Sequence, residues 1–305
     1  MATLTAIKDH IDKTFNVKEN GLDPQMAMFI PRVYDPINFD WKNYFDSDFV
    51  DNLNGLMLRG SEEVNKVYLT SFPQPEILDK FIAEASEGDL FFTHHPIVML
   101  CGDPQGNKFG AGWVPLSKEH LDAMKAKKLS FYGLHGPLDY KRDLGTRSSM
   151  MKTLDAVFEK DFHFDGKGYH GAICTIKPIS SDTLIEKLKV IYDLPYVDFA
   201  GKPKDKIERV AIVAGGADNL QAMQEAEKEG LDAYIAGEIF SRLDTEWGVE
   251  NNPRMIDFNS KTNMCMIGLS HAGSEYLTMK VEMADWFKQN FGVETELLPQ
   301  DKWWI

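Results

Sequence analysis

The stretch "KVYLTSFPQPEILDKFIAEASEGDLFFTHH" (residues 66–95) predicts a strand, a helix and a second strand in close succession. Its first seven residues are mostly apolar, as in a strand that is buried on both faces. Ile77 and Phe81 recur at helical spacing, and Pro75 suits the first turn of a helix. The run "DLFFTHH" is the second strand. Because a helical crossover joins parallel neighbours, the stretch indicates an α/β fold.

The same pattern returns later in the chain. Residues 66–95 align without a gap with "RVAIVAGGADNLQAMQEAEKEGLDAYIAGE" (residues 209–238), and His95 falls on Glu238. The following strands also match, since "FYGLHGPLDY" resembles "MIGLSHAGSEY". We interpret this as an internal duplication, which predicts a three-layer α/β/α fold of two half-domains related by a pseudo-dyad.

The pattern divides the chain into four segments. We expect an N-terminal covering segment over residues 1–60, with a short opening helix and irregular structure from residue 21 to residue 54. The first α/β half then spans residues 61–160 and the second spans residues 207–305. A connecting strand and helix, residues 161–206, lie between them.

The composition excludes several classes of protein. The 305 residues carry a net charge of −14, which argues against the clustered Lys and Arg of a nucleic-acid binder. Cys101, Cys174 and Cys265 are few and far apart, which indicates a reducing compartment and not a disulfide framework or a Cys-type zinc site. Neither an apolar signal segment nor a run of about 18 apolar residues is present, so we expect a cytoplasmic protein without a membrane span.

Histidines and carboxylates follow the apolar strands of both halves. They are His94, His95, His135, Asp139, His271 and Glu275. Loops after strand ends carry the sites of open α/β sheets, and these side chains suit zinc, iron or manganese. Two ions bridged by a carboxylate and a water need about this many ligands. Each residue alone also fits a structural role, but the two histidine–carboxylate pairs at the same spacing favour metal binding.

Other motifs are weaker. "IVAGGADN" (residues 212–219) lacks the dinucleotide glycine pattern, and close backbone packing explains its glycines better than a phosphate does. "GDPQGNKFGAGW" (residues 102–113) is most simply a turn or hairpin. His163 and His170 have no carboxylate at ligand spacing, so we interpret them as surface or structural residues.

Five segments, in order, resemble the NIF-three-like family, also labelled the type 2 GTP cyclohydrolase I family. They are "DNLNGLML" (residues 51–58), "FFTHHPIV", "LHGPLD", "YIAGE" and "SHAGSE". The resemblance implies two intertwined α/β halves, a toroidal homohexamer, and a dinuclear centre of divalent metal ions facing an internal cavity.

The resemblance also implies a ligand set for the two ions. Carried over position by position, the ligands are His94, His95, Asp139, His271 and Glu275. Glu275 would bridge the ions. His94 with His271 would serve one ion, and His95 with Asp139 the other.

Two further positions and the reaction follow from the same resemblance. His135 matches a family histidine that is either a ligand or a residue behind the ligands, and Glu238 matches a glutamate that lines the cleft. The family label implies a metal-dependent hydrolase that opens a purine nucleotide ring or cleaves a phosphoester, with Glu238 or His135 moving protons. The alternative is a non-enzymatic metal-holding ring or a partner-binding protein. Ala236 replaces the family's threonine, a departure that bears on the substrate and not on the metal ligands.

Overall fold

Two units, each built around one large β-sheet, make up the chain. The computed structural model describes residues 2–216 and 219–304. The first unit comprises Met1–Met99, Trp113–Leu138 and Met279–Asp301. The second comprises Leu100–Gly112, Asp139–Thr278 and Lys302–Ile305.

The described strands, in chain order, are β1 Ala2–Thr3, β2 Gly55–Leu58, β3 Glu63–Val64, β4 Lys66–Thr70, β5 Leu90–Thr93, β6 Val98–Leu100, β7 Gly112–Val114, β8 Ser130–Gly133, β9 Val157–Phe164, β10 Tyr169–Ile179, β11 Asp198–Gly201, β12 Ile207–Val213, β13 Ala233–Ala236, β14 Cys265–Gly268 and β15 Glu294–Leu297.

The described α-helices are α1 Leu4–Thr14, α2 Val17–Asn20, α3 Pro24–Tyr34, α4 Trp41–Tyr44, α5 Ser47–Asn52, α6 Pro75–Glu84, α7 Lys118–Ala126, α8 Gly136–Tyr140, α9 Thr146–Leu154, α10 Ser181–Tyr192, α11 Leu220–Lys228, α12 Glu246–Lys261, α13 His271–Thr278 and α14 Ala284–Phe291. A 3₁₀ turn spans Asp35–Ile37, and a π-helical segment spans Met279–Met283. Among the helices described, none is long and apolar enough to cross a membrane.

The sheet of the first unit has the order β15-β4-β5-β8-β2. Its first four strands are parallel, and β2 pairs antiparallel with β8. Alternate residues of β5 face opposite sides. Phe91 stacks on Phe81 of α6, whereas Phe92 meets Phe287 of α14 edge to face. Helices therefore cover both faces of this sheet.

The sheet of the second unit has the order β11-β14-β13-β12-β10-β9, with a parallel centre of β12, β13 and β14. Ile212 belongs to an apolar cluster with Leu184 of α10, and Ala211 belongs to another with Met223 of α11. Neighbouring residues of one strand thus pack against helices on opposite faces. Each unit is a three-layer α/β/α arrangement, which confirms the predicted α/β class.

The pairing register follows the alignment of the two halves. Val67 pairs with Leu90 in the first sheet, and the aligned Val210 pairs with Ala233 in the second. Strand β8 then begins opposite Leu90, and strand β14 begins opposite the aligned Ala233. This agreement supports the duplication, which stays an interpretation.

The N-terminal region is more helical than expected. Helix α3 begins where the Asp23 carboxylate accepts hydrogen bonds from the amides of Gln25 and Met26, with Pro24 in its first turn. An Asp cap followed by Pro is a recognised helix start. The expectation of irregular structure from residue 21 to residue 54 is therefore wrong.

Replacing Phe92 tests the position of the core. Phe92→Ala removes a fully buried ring, so the free energy of unfolding should fall by about 3–5 kcal/mol in urea denaturation. The control Ile37→Ala changes a side chain that is 56% exposed and should cost less than about 0.5 kcal/mol. Equal effects of the two variants would contradict the packing described.

Candidate metal centre

Two adjacent histidines follow β5 and continue its pairing with β4. The amide of His94 donates to the Thr70 carbonyl at 3.3 Å, and the amide of His95 donates to the Ser71 carbonyl at 2.9 Å. Thr93 Oγ1 donates to the His95 carbonyl at 2.6 Å. The backbone hydrogen bonds thus hold both imidazoles at the carboxyl end of a parallel strand, where open α/β sheets carry their sites.

His94, His95 and His135 form a cluster of imidazoles, here called the histidine group. Their ring centroids lie 4.5 Å apart for the adjacent pair and 5.1 and 4.8 Å from His135. One ring nitrogen from each lies within 4.8 Å of the others, and all three residues are buried. Closely spaced imidazole nitrogens are a donor set suited to zinc or iron.

The surroundings fix two of these rings. His94 Nδ1 lies 2.8 Å from the Leu134 carbonyl oxygen. Because a carbonyl oxygen accepts hydrogen bonds and cannot donate them, the proton is on Nδ1 and Nε2 carries the lone pair. The His95 ring stacks on Phe72, with centroids 4.2 Å apart and planes 2° apart, and Trp113 lies 5.0 Å away. A backbone carbonyl behind Nδ1 is a usual support of a metal-binding histidine.

A buried carboxylate supports the third ring. Asp23 Oδ2 lies 2.9 Å from His135 Nδ1 and also accepts from the amide of Gly136. Asn54 donates to the same oxygen at 3.2 Å, and its Oδ1 accepts from the His135 amide at 2.6 Å. Burial alone would raise the pKa of Asp23, but His135 and these hydrogen bonds hold that pKa well below its usual range. Asp23 therefore remains a carboxylate that orients His135.

The second unit carries a group of its own, here called the His271 group: Glu238, His271 and Glu275. Glu238 follows β13, and the other two lie four residues apart on α13, on one helical face. His271 Nδ1 is 2.9 Å from Glu238 Oε2, and Nε2 is 3.1 Å from Glu275 Oε1. Burial would lower the pKa of His271, but the neighbouring carboxylates raise that pKa well above its usual value.

The glycine turn after β12 packs against this group. A Cβ on Gly215 would lie 2.3 Å from Glu275 Oε1 and 3.2 Å from His271 Nε2, and the backbone has φ +71°. The Gly215 amide also donates to Ser274 Oγ at 2.8 Å. The prediction that these glycines serve close packing is confirmed for Gly215 and Gly216, while residues 217 and 218 lie outside the described part of the chain.

Asp139 belongs to the second unit, and both of its oxygens have partners there. Thr146 Oγ1 donates to Oδ1 at 2.8 Å, and His170 Nδ1 lies 3.4 Å from Oδ2. The other nitrogen of His170 is 2.8 Å from Asp165. Burial would lower the pKa of His170, but the two carboxylates raise it to about 10. His170 is therefore a buried structural residue, and its two carboxylate partners are ones that the sequence spacing did not show.

Comparison with known proteins identifies the family. The sequence model of Duf34/NIF3 (NGG1p interacting factor 3) matches residues 45–302. The chain belongs to the DUF34/NIF3 family. The resemblance described above is thus confirmed.

Curated relatives share a name. A protein of Neisseria meningitidis named "GTP cyclohydrolase 1 type 2 homolog" is 28% identical over 191 residues, which cover 61% of this chain and 69% of the relative. A protein of Haemophilus influenzae with the same name is 21% identical over 246 residues, or 80% of this chain and 87% of the relative.

Solved structures support the fold. The protein ybgI, of unknown function, superposes with a TM-score of 0.66 at 16% identity and covers 98% of this chain and 99% of its own. TTHA1606 from Thermus thermophilus gives a TM-score of 0.62 at the same identity and coverage. At this level of identity the likeness shows that this DUF34/NIF3 member shares their fold.

Within each unit, the structure brings predicted residues together. The histidine group unites His94, His95 and His135, and Glu238 joins His271 and Glu275. Among the described residues, Asp139 is in neither group. Sequence reasoning missed Asp23 and Asn54, which support His135. Asn54 lies in "DNLNGLML", a family-like segment, but a spacing pattern does not show what an amide contacts.

Gly215 offers a test of the His271 group. Gly215→Ala should displace the Glu275 carboxylate and so lower the metal content of the purified protein, measured by elemental analysis. Gly230→Ala is a matched control, because Gly230 has φ +69° and nothing within 4 Å of the added Cβ. Both variants should lose about 1–2 kcal/mol of stability, because each places an alanine in the left-handed backbone conformation. Equal metal content in the two variants would contradict a role of Glu275 in binding.

Asp23 offers a test of the histidine group. Asp23→Asn keeps a good helix cap but removes the charge behind His135, so zinc affinity should fall about 10–100-fold in competition titrations. Asp46→Asn, at the cap of α5, is the control and should leave affinity unchanged. Unchanged affinity in Asp23→Asn would show that Asp23 serves the fold alone.

Proposed function

We propose that the chain binds two divalent metal ions and is a metal-dependent hydrolase of a nucleotide-like or phosphoester substrate. The observation that carries this proposal is the histidine group, in which His94 and His135 each have Nδ1 next to an oxygen acceptor. With Nδ1 held in this way, Nε2 is the ring atom that would bind a metal.

The donor chemistry fits zinc, iron or manganese. The first unit offers imidazoles, which are borderline donors. The second offers an imidazole together with carboxylates, which are hard donors. The proposed ligands are His94, His95, Asp139, His271 and Glu275. Glu275 as a bridge, and the division of the histidines between two ions, are part of the proposal.

The chemistry divides between the ions and the protein. A divalent metal ion, when bound, polarises the substrate and lowers the pKa of water, so that a nucleophile forms near neutral pH. Asp23 holds the Nδ1 side of His135, so His135 exchanges protons through Nε2. Glu238 holds His271 in orientation through Oε2. We assign proton movement to Glu238 or His135.

The substrate class rests on the relatives. Those described above are named as homologues of GTP cyclohydrolase 1 type 2, which supports a purine nucleotide. A homohexamer is also part of the proposal. In its support, β9 is an edge strand of its sheet and exposes Val157 and Phe164, and such an edge can pair with another chain.

Loss of single ligands tests the proposal. We expect the wild-type protein to carry divalent metal and to hydrolyse a member of a nucleotide and phosphoester panel when metal is supplied. His95→Ala and Glu275→Ala should lose metal and turnover without unfolding, because each removes a donor. His120→Ala, on α7 and hydrogen-bonded to Asp79, is the control and should retain both.

The outcomes separate the two halves of the proposal. A wild-type protein that binds no divalent metal overturns all of it. Suppose that the wild-type protein binds metal, that His95→Ala loses it, and that no panel member is turned over. This result would overturn the proposed hydrolase activity and leave the alternative of a non-enzymatic metal-holding protein.

A further inference from the structure

The glycine-rich loop of residues 102–113 directly follows Cys101, and its contacts fix the position of that residue. Strand β6 precedes this loop and strand β7 begins at its end, and the two strands pair, in agreement with the predicted turn or hairpin. The amides of Gly102 and Gly110 both donate to the Arg242 carbonyl, at 3.1 and 3.0 Å, and the Asp244 amide returns a bond to Gly110 at 2.7 Å. The loop is therefore fixed to the segment that follows β13.

Glycine is required at both contact points. A Cβ on Gly110 would lie 1.9 Å from the Leu100 carbonyl oxygen, and one on Gly102 would lie 2.7 Å from the Lys108 carbonyl oxygen. No larger residue allows the two loop strands to approach so closely. The approach brings Cys101, which is 4% exposed, into the interior of the second unit.

Cys101 lies beside two groups of metal-ligand type. Its Sγ, a carboxylate oxygen of Glu238 and a ring nitrogen of His271 all lie within 4.8 Å of one another, and all three residues are buried. Burial, with the Glu238 carboxylate, raises the pKa of the Cys101 thiol to about 12.

The other two cysteines have different surroundings. Cys174 and Cys265 are buried in the apolar cluster between the second sheet and helices α9, α10 and α13. Such a position is usual for a cysteine that serves packing. Cys101 instead faces an imidazole and a carboxylate, so packing does not account for its neighbours.

We propose that Cys101, Glu238 and His271 form a thiolate-containing site for a thiophilic divalent ion, zinc or iron(II). The inference rests on the proposed metal binding at His271 and adds two ligands, Cys101 and Glu238, that the predicted set lacks. With Glu238 bound to the ion, proton movement falls to His135. When the ion binds, the thiol S–H bond breaks, its proton leaves to solvent water and a sulfur–metal bond forms. A soft sulfur ligand selects zinc or iron over manganese, which prefers oxygen donors.

Cobalt(II) substitution tests this site, because sulfur bound to cobalt gives a charge-transfer band in the near ultraviolet. We expect the band in the wild-type protein and in the Cys174→Ser/Cys265→Ser double variant, which keeps Cys101 as its one thiol. Cys101→Ser should lack the band but keep the visible cobalt absorption of its other ligands. Its preference for zinc over manganese should fall at least about tenfold.

Each contrary result has a distinct meaning. Visible cobalt absorption without a near-ultraviolet band in the wild type overturns the role of Cys101 and leaves the proposed metal binding intact. A band that disappears in the double variant also overturns it. No cobalt uptake by the wild type overturns both proposals. If Cys101→Ser does not fold, the comparison of the wild type with the double variant still decides.

Discussion

Ionisable side chains that are buried need a partner for each polar atom, and the strand ends of both units are built around that requirement. His94 rests on a backbone carbonyl, His135 on Asp23, and His271 on Glu238. Leaving one of these polar atoms without a partner would cost much free energy, because the side chains are almost fully buried. Surrounding elements provide those partners. The start of α3 supplies Asp23, and the glycine turn after β12 leaves room for Glu275.

The parallel sheets and their strand ends could be predicted from the sequence because those signals are local. Helical spacing after Pro75 and the apolar runs on either side lie within one stretch, and the structure has β4, α6 and β5 there. The alignment of Val67 with Val210 also matched the pairing register of both sheets. Likewise, adjacent histidines after a strand are visible in the sequence, and backbone pairing holds them in place.

The residues behind the ligands could not be predicted because they come from distant parts of the chain. Asp23 precedes its partner His135 by more than a hundred positions, and its only local signal is that of a helix cap. Cys101 reaches Glu238 through a loop whose path depends on contacts with Arg242. Helix α3 of the N-terminal region does carry a local signal, because Asp23 followed by Pro24 is a helix start that is visible in the sequence.

The most direct measurement of the central claim is anomalous diffraction from crystals grown with zinc or iron, recorded at the absorption edge of that metal. We expect anomalous peaks at bonding distance, about 2.0–2.3 Å, from ring nitrogens of the histidine group and from the side chains of His271 and Glu275. Crystals in which peaks occur only at surface residues, with none at either group, would contradict that claim.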